Sequence, residues 1–167
     1  MLSDKMLKAL NKHLNEELYS SYLYLSMAAY FEEKNLKGFA GWMRAQSQEE
    51  YMHGMKFYDF INSMNGKVTL IQIDAPKTNW KNLMEVWKDT LAHEQKITSL
   101  IHKLVDQAMQ EKDYATNNFL QWFVTEQVEE VTTVEDIISK LELIGDNKSG
   151  LYMLDRELGA RAAASGN

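Results

Sequence analysis

The chain has 167 residues, 45% of them hydrophobic and none of them cysteine, with a formal net charge of −6. That length supports one domain with a sizeable core, and the absence of thiols excludes disulfides, iron–sulfur clusters, thiolate zinc sites and cysteine nucleophiles. The acidic balance argues against a nucleic-acid partner, and no segment reaches the roughly 18 apolar residues of a membrane span. With no leader-like apolar run at its start, the sequence reads as soluble and cytoplasmic, with no membrane partner.

A single proline, Pro76, and eight glycines leave long stretches without helix breakers, so the expected fold is all-α. Ser3 or Asp4 caps a first helix running to about Lys34, and Asn35 with Gly38 makes a short turn into a second helix ending near Asn65 and Gly66. From Lys67 to Asn79, Val68, Leu70, Ile71 and Ile73 interleave with polar residues ahead of Pro76, which predicts an extended connection. A bundle helix of about 27 residues spans roughly 40 Å at about 1.5 Å per residue, and 13 to 15 extended residues at about 3.3 Å each cover that distance. The second and third helices are therefore expected to run parallel, joined by one long crossover. A third helix from about Trp80 to Glu111, capped by Thr78 or Asn79, and a fourth from about Asp113 to Ile144 follow, with Gly145 as the stop. The bundle is thus expected over about 4–145 of a single domain spanning 1–167. Leu151, Leu154 and Leu158 predict a short fifth helix over about 151–161, docked on the bundle or on another subunit, and 162–167 reads as a frayed tail.

Each long helix carries an apolar seam at alternating steps of three and four residues, the stripe a bundle buries. The seams read Leu10, Leu14, Glu17, Ser21, Tyr24, Ala28 in the first helix and Met43, Gln46, Glu50, His53, Phe57 in the second. They continue as Trp87, Thr90, Glu94, Ile97, Ile101 in the third and Leu120, Phe123, Gln127, Glu130, Val134 in the fourth. Every seam is apolar toward its ends and acidic in its middle. A buried carboxylate costs several kcal/mol unless it neutralises, pairs or binds a metal, and no Lys or Arg shares these positions. Glu94 and Glu130 lie at matching distances from the third turn, whereas Glu17 and Glu50 are offset by about one helical turn that side-chain reach and turn geometry could absorb.

Glu50 and His53 form an E-x-x-H pair that can ligate one ion from one helix face. Carboxylate-rich ligation with one imidazole suits iron or manganese better than structural zinc. Two ions are implied: Glu17, Glu50 and His53 would hold one, Glu94 and Glu130 would complete the other, and Glu50 lies where it bridges them. His13, His93 and His102 read as ordinary helix residues, Trp122 as core packing, and the methionines as bundle filler. A di-iron oxygenase or peroxidase acting on an organic substrate and a metal-free helical scaffold are the other functional classes open to this pattern.

From Leu2 to Glu157 the chain resembles the prokaryotic non-haem ferritins, notably over Asn15-Glu16-Glu17-Leu18-Tyr19-Ser20-Ser21-Tyr22-Leu23-Tyr24 and Phe119-Leu120-Gln121-Trp122-Phe123-Val124-Thr125-Glu126-Gln127. The resemblance implies a ferritin-like four-helix bundle with a short C-terminal fifth helix, assembled as a homo-24-mer cage for iron storage. It implies ferroxidase chemistry in which iron, two ions per centre, is oxidised by dioxygen or peroxide. Carried over residue by residue, it assigns Glu17, Glu50 and His53 to the first iron, Glu50, Glu94 and Glu130 to the second, Gln127 to their support, and Tyr24 as the aromatic beside them. It also implies a third iron site at Glu49, Glu126, Glu129 and Glu130. No haem is expected, because the haem-ligating Met of bacterioferritins is replaced by Tyr51, with Met52 one position further on, and their second E-x-x-H by Gln127-x-x-Glu130. Asn117 and Leu120 stand where animal ferritins line an entry channel with acids, and Val131 replaces a third consecutive acid found in many relatives.

Overall fold

The computed structural model describes residues 2–165, with side chains described as far as Arg161. Its elements are α1 (Asp4–Glu33), α2 (Lys37–Ser63), α3 (Leu83–Glu111), α4 (Tyr114–Ile144) and α5 (Lys148–Ser165), and there is no strand among the described residues. No helix among them is long and apolar enough to cross a membrane.

Local chemistry sets the helix ends. The side chains of Ser3, Asn82 and Asp113 accept hydrogen bonds from the backbone N–H three residues on, at 2.9 to 3.0 Å, satisfying donors the first turn leaves open. Asn82 is thus the cap of α3, which begins at Leu83 and not near Trp80, because Trp80 is drawn into the crossover's contacts: its indole N–H donates to Asp89 and its ring meets Tyr30. Asn35, Asn65 and Lys112 take positive φ of 55 to 60° just after α1, α2 and α3, the left-handed turn that commonly closes a helix.

The four long helices pack in antiparallel neighbours. Ser21 and Ser47 exchange hydroxyl-to-carbonyl bonds across α1 and α2 at 2.7 Å each, and Ser20 and His93 meet across α1 and α3 at 2.7 Å. Phe60 stacks on Phe119 across α2 and α4 with ring centres 4.0 Å apart. The crossover, 64–82, runs along α1: Asn11 holds Lys67 and Thr69 through its amide, and Ser26 holds the Lys77 carbonyl. It therefore delivers the chain to the opposite end of the bundle, and α2 and α3 run parallel as the length argument requires. The all-α four-helix bundle with a C-terminal fifth helix is observed.

Two apolar clusters fill the bundle. One gathers Phe31, Phe39, Trp42, Met43 and Trp87 with the α5 side chains Leu154 and Leu158, and the other gathers Leu10, Leu14, Phe57, Ile61, Ile101 and Phe123. Between them lies a polar layer.

Several local expectations are corrected. Helix α5 starts at Lys148, three residues before 151, and stays helical through Ser165; of the expected frayed tail 162–167, positions 162–165 continue the helix and 166–167 lie outside the described residues. Gly38 is inside the first turn of α2 and is required by packing: a Cβ there would sit 1.6 Å from the Asp155 carbonyl oxygen. Close passage lets the Asp155 carboxylate accept from the Gly38 and Phe39 N–H groups at 2.9 and 3.0 Å, capping a helix whose own N-cap, Leu36, supplies no side-chain bond. Leu120 is fully buried in the second cluster, as its seam position predicts, and so does not line a channel. Trp122 is 42% exposed, at the bundle surface and not in the core.

Candidate metal centre

The polar layer consists of Glu17 from α1, Gln46, Glu50 and His53 from α2, Glu94 from α3, and Gln127 and Glu130 from α4, all buried. The Ser21–Ser47 exchange centres the α1–α2 register on position 34, which brings Glu17 and Glu50 within about one residue of the same level. The expected one-turn offset is therefore absent. Ligand atoms of Glu17, Glu50 and His53 lie within 4.8 Å of one another, as do those of Glu50, Glu94 and Glu130. Glu50 belongs to both groups.

Hydrogen bonds orient these side chains. Gln46 Nε2 donates at 2.8 Å to both Glu50 Oε1 and Glu130 Oε2, and His53 Nδ1 lies 3.0 Å from Glu50 Oε2. Glu94 takes the Tyr24 hydroxyl on one oxygen and Gln127 Nε2, at 3.1 Å, on the other. His13 Nε2 lies 2.8 Å from Glu17 Oε1; a carboxylate only accepts, so this nitrogen carries the proton. Glu17 Oε2 is buried with no hydrogen-bond partner. A buried, unpaired carboxylate oxygen is a fitting ligand atom for a cation.

The electrostatics agree. Burial, with the Glu50 and Glu94 charges added, pushes the Glu130 carboxyl up to about 9. Burial also lifts Glu50 to about 7 against the hydrogen bond from His53, and Glu94 to about 7 with help from the Glu50 charge. Burial disfavours the His53 imidazolium, yet the hydrogen bond and charge of Glu50 and the charges of Glu17 and Glu130 outweigh it, raising His53 to about 9. Tyr24 is held well above its ordinary value by burial and the same carboxylates, so its phenol stays protonated. The carboxyls hold protons because burial and their mutual repulsion disfavour the charged forms, His53 holds one because those carboxylates surround it, and a divalent ion would displace these protons.

At the rim the arrangement is looser. Ligand atoms of His53, Glu126 and Glu130 also lie within 4.8 Å of one another, and burial, moderated by the His53 charge, raises the Glu126 carboxyl. Glu49 instead forms an ion pair with Arg161 at 2.6 Å, and Glu129 is exposed and joins none of the ligand groups. Of the four acids expected at a third site, Glu126 and Glu130 share a ligand group with His53, while the charges of Glu49 and Glu129 act on Glu126 from outside that group. A surface depression of about 380 Å³, lined by Glu49, Met52, His53, Lys56, Trp122 and Glu126, opens onto this rim. The Trp122 ring meets His53 edge-on, with centres 5.3 Å apart, and carries Lys56 Nζ 4.3 Å from its centre.

Four residues around the layer have roles that the seam pattern does not state. Gln46 stands on the predicted seam one turn before Glu50, and its amide ties Glu50 to Glu130. His13 stands one turn before Glu17, and the expectation of an ordinary helix residue fails because both are buried and bonded. His93 also departs from that expectation: burial drives it down to about 4, and it is hydrogen-bonded to Ser20. Arg161 reaches Gln46 across 115 residues of sequence, and no local pattern marked it.

The ferritin-like domain family model matches residues 7–144. The bacterial non-heme ferritin of Staphylococcus haemolyticus is 43% identical over 162 residues, covering 97% of this chain and 98% of that protein. Its Staphylococcus aureus (strain USA300) counterpart is 41% identical over 161 residues, covering 96% and 97%. Among solved structures, an open pore ferritin from the hyperthermophilic archaeon Archaeoglobus fulgidus superposes with a TM-score of 0.93 at 51% identity, covering 95% of this chain and 96% of that one. An engineered closed form of the Archaeoglobus fulgidus ferritin gives 0.94 at 50%, covering 95% and 97%. With a carboxylate layer at mid-bundle, a parallel α2 and α3 joined by a long crossover, and these near full-length matches, the chain belongs to the ferritin family of iron-storage proteins.

Proposed function

We propose that the chain is a single-domain ferroxidase subunit of a cytoplasmic, haem-free 24-subunit cage, taking Fe(II) as substrate and delivering Fe(III) to a mineral inside. The observation that carries this reading is the pair of buried ligand groups sharing Glu50. Glu17, Glu50 and His53 bind the first iron, and Glu50, Glu94 and Glu130 the second. Each Fe(II) gives one electron; two electrons and two protons convert dioxygen to hydrogen peroxide, or peroxide to water. Holding both ions beside one bridging carboxylate makes the two-electron step available at once. Protons displaced from His53, Glu50, Glu94 and Glu130 leave as iron enters. Tyr24 and Gln127 orient Glu94, and His13 orients Glu17. The rim acids Glu49, Glu126 and Glu129, with Glu130, form a weaker third site that handles iron in transit. Exposed apolar side chains on α1 and the crossover, among them Tyr22, Leu25, Leu70 and Ile71, support burial against other copies.

Anaerobic Fe(II) titration tests this directly. Binding should break at about two tight irons per chain, and Glu50→Ala should abolish the fast aerobic oxidation while the helices stay folded. Unchanged stopped-flow rates in that variant would refute the bridging role.

A further inference from the structure

Among the described side chains of α5, that of Arg161 reaches the centre. The close pass of Gly38 and Gly159 and the Asp155 cap fix α5 on α2. Arg161 then lies over the Trp42 ring, its guanidinium carbon 4.3 Å from the ring centre. Its Nη2 donates to Gln46 Oε1 at 2.9 Å and to Glu49 Oε2 at 2.6 Å. A guanidinium only donates, so it fixes the Gln46 amide with its oxygen outward and its nitrogen inward. That inward nitrogen is the one bonded to Glu50 and Glu130. One cation therefore holds a rim acid directly and, through one amide, two carboxylates of the main centre.

We propose that Arg161 is a positioning residue that occupies Glu49 as a resident cation, competing with iron for the third site and keeping Gln46 aligned on Glu50 and Glu130 until iron arrives there. The proposal rests on the reading of Glu49, Glu126 and Glu129 as acids of a third iron site. Two cations on one carboxylate repel each other, so an ion binding at Glu49 either displaces the guanidinium or binds more weakly because of it. Whichever occurs, the two are linked with negative coupling, and the linkage is reciprocal. Displacement also frees the Gln46 oxygen, loosening the amide that orients Glu50 and Glu130. Iron at the rim would thereby weaken the grip on the second iron, a direction that suits its release inward. A residue that merely docked α5 would give the opposite sign on removal, because a disturbed rim binds cations less well.

The test uses the assembled, iron-free protein and the redox-inert probe Zn(II) in isothermal titration calorimetry. Arg161→Gln should tighten the weakest class of sites by roughly ten-fold, while Arg161→Lys, which keeps the charge, should stay near the unsubstituted protein. Glu49→Gln should remove that class. If Glu49→Gln removes it but Arg161→Gln leaves it unchanged or weaker, the competition is refuted and the third-site reading stands. If Glu49→Gln changes nothing, the third-site reading fails and the proposal with it. Should Arg161→Gln disturb assembly, Arg161→Met, whose stem keeps the Trp42 contact, carries the same comparison; loss of assembly in both assigns Arg161 to docking alone and overturns the proposal.

Discussion

Replacing Glu130 by Gln in the metal-free protein isolates the energetic consequence of a buried carboxylate layer. Glu130 is raised from 4.5 to about 9 by burial and by Glu50 and Glu94. Its folded form therefore binds a proton that the unfolded chain has lost between those values. The sign follows: the native state holds more protons, so stability falls as pH rises from about 4.5 toward 9. Between pH 5 and pH 8 the loss from this group is on the order of 4 kcal/mol, at about 1.4 kcal/mol per unit. Protonated Glu and Gln are both neutral and nearly the same shape, and the Gln oxygen can accept from Gln46 as Glu130 does. Thermal unfolding of chelator-treated protein, followed by circular dichroism, should show the two proteins within a few degrees at pH 5. At pH 8 Glu130→Gln should unfold roughly 10 °C higher, taking about 2 to 4 °C per kcal/mol for a chain of this size. A difference of the same size at both pH values, or a less stable variant at pH 8, would refute the reasoning.

Divalent metal binding at the same centre should strengthen between about pH 6.5 and 9 as the groups at about 7 and 9 give up their protons, and calorimetry in buffers of different ionisation enthalpy should record proton release. His13→Leu leaves Glu17 Oε1 without its donor, and should weaken the first metal equivalent by about ten-fold, the size expected for loss of a ligand's supporting hydrogen bond; His13→Gln should recover most of it, and equal affinity of Co(II) for all three proteins would exclude an orienting role. Gly38→Ala places a Cβ 1.6 Å from the Asp155 carbonyl, so α5 must shift, losing a cap that contributes about 1 kcal/mol and part of the burial of Leu154 and Leu158; hydrogen exchange in α5 should rise while α1 to α4 stay protected. Phe57→Ala, at a fully buried ring packed on Phe119 and Phe123, should cost about 3 to 5 kcal/mol, measured by chemical unfolding of metal-free protein.

The sequence by itself determined the helices, the parallel α2 and α3, and the residues of the mid-bundle layer. Seam periodicity reports which face of a helix is buried, crossover length reports which end the chain must reach, and Glu17, Glu50, His53, Glu94 and Glu130 stand where both rules converge. Periodicity is blind to depth along a neighbour, which is why the α1–α2 register came from a serine pair, and to lateral contacts between distant segments. Tertiary structure alone decided that Gly38 serves the close approach of α5, that Trp122 lies at the surface, and that Glu49 is paired with Arg161. It also decided which oxygen of each carboxylate is left open. His13 takes one oxygen of Glu17, Gln46 and His53 take those of Glu50, and Tyr24 and Gln127 take those of Glu94. A hydrogen bond is set by atomic positions to within a few tenths of an ångström, a precision no one-dimensional pattern carries; only the packed bundle fixes it.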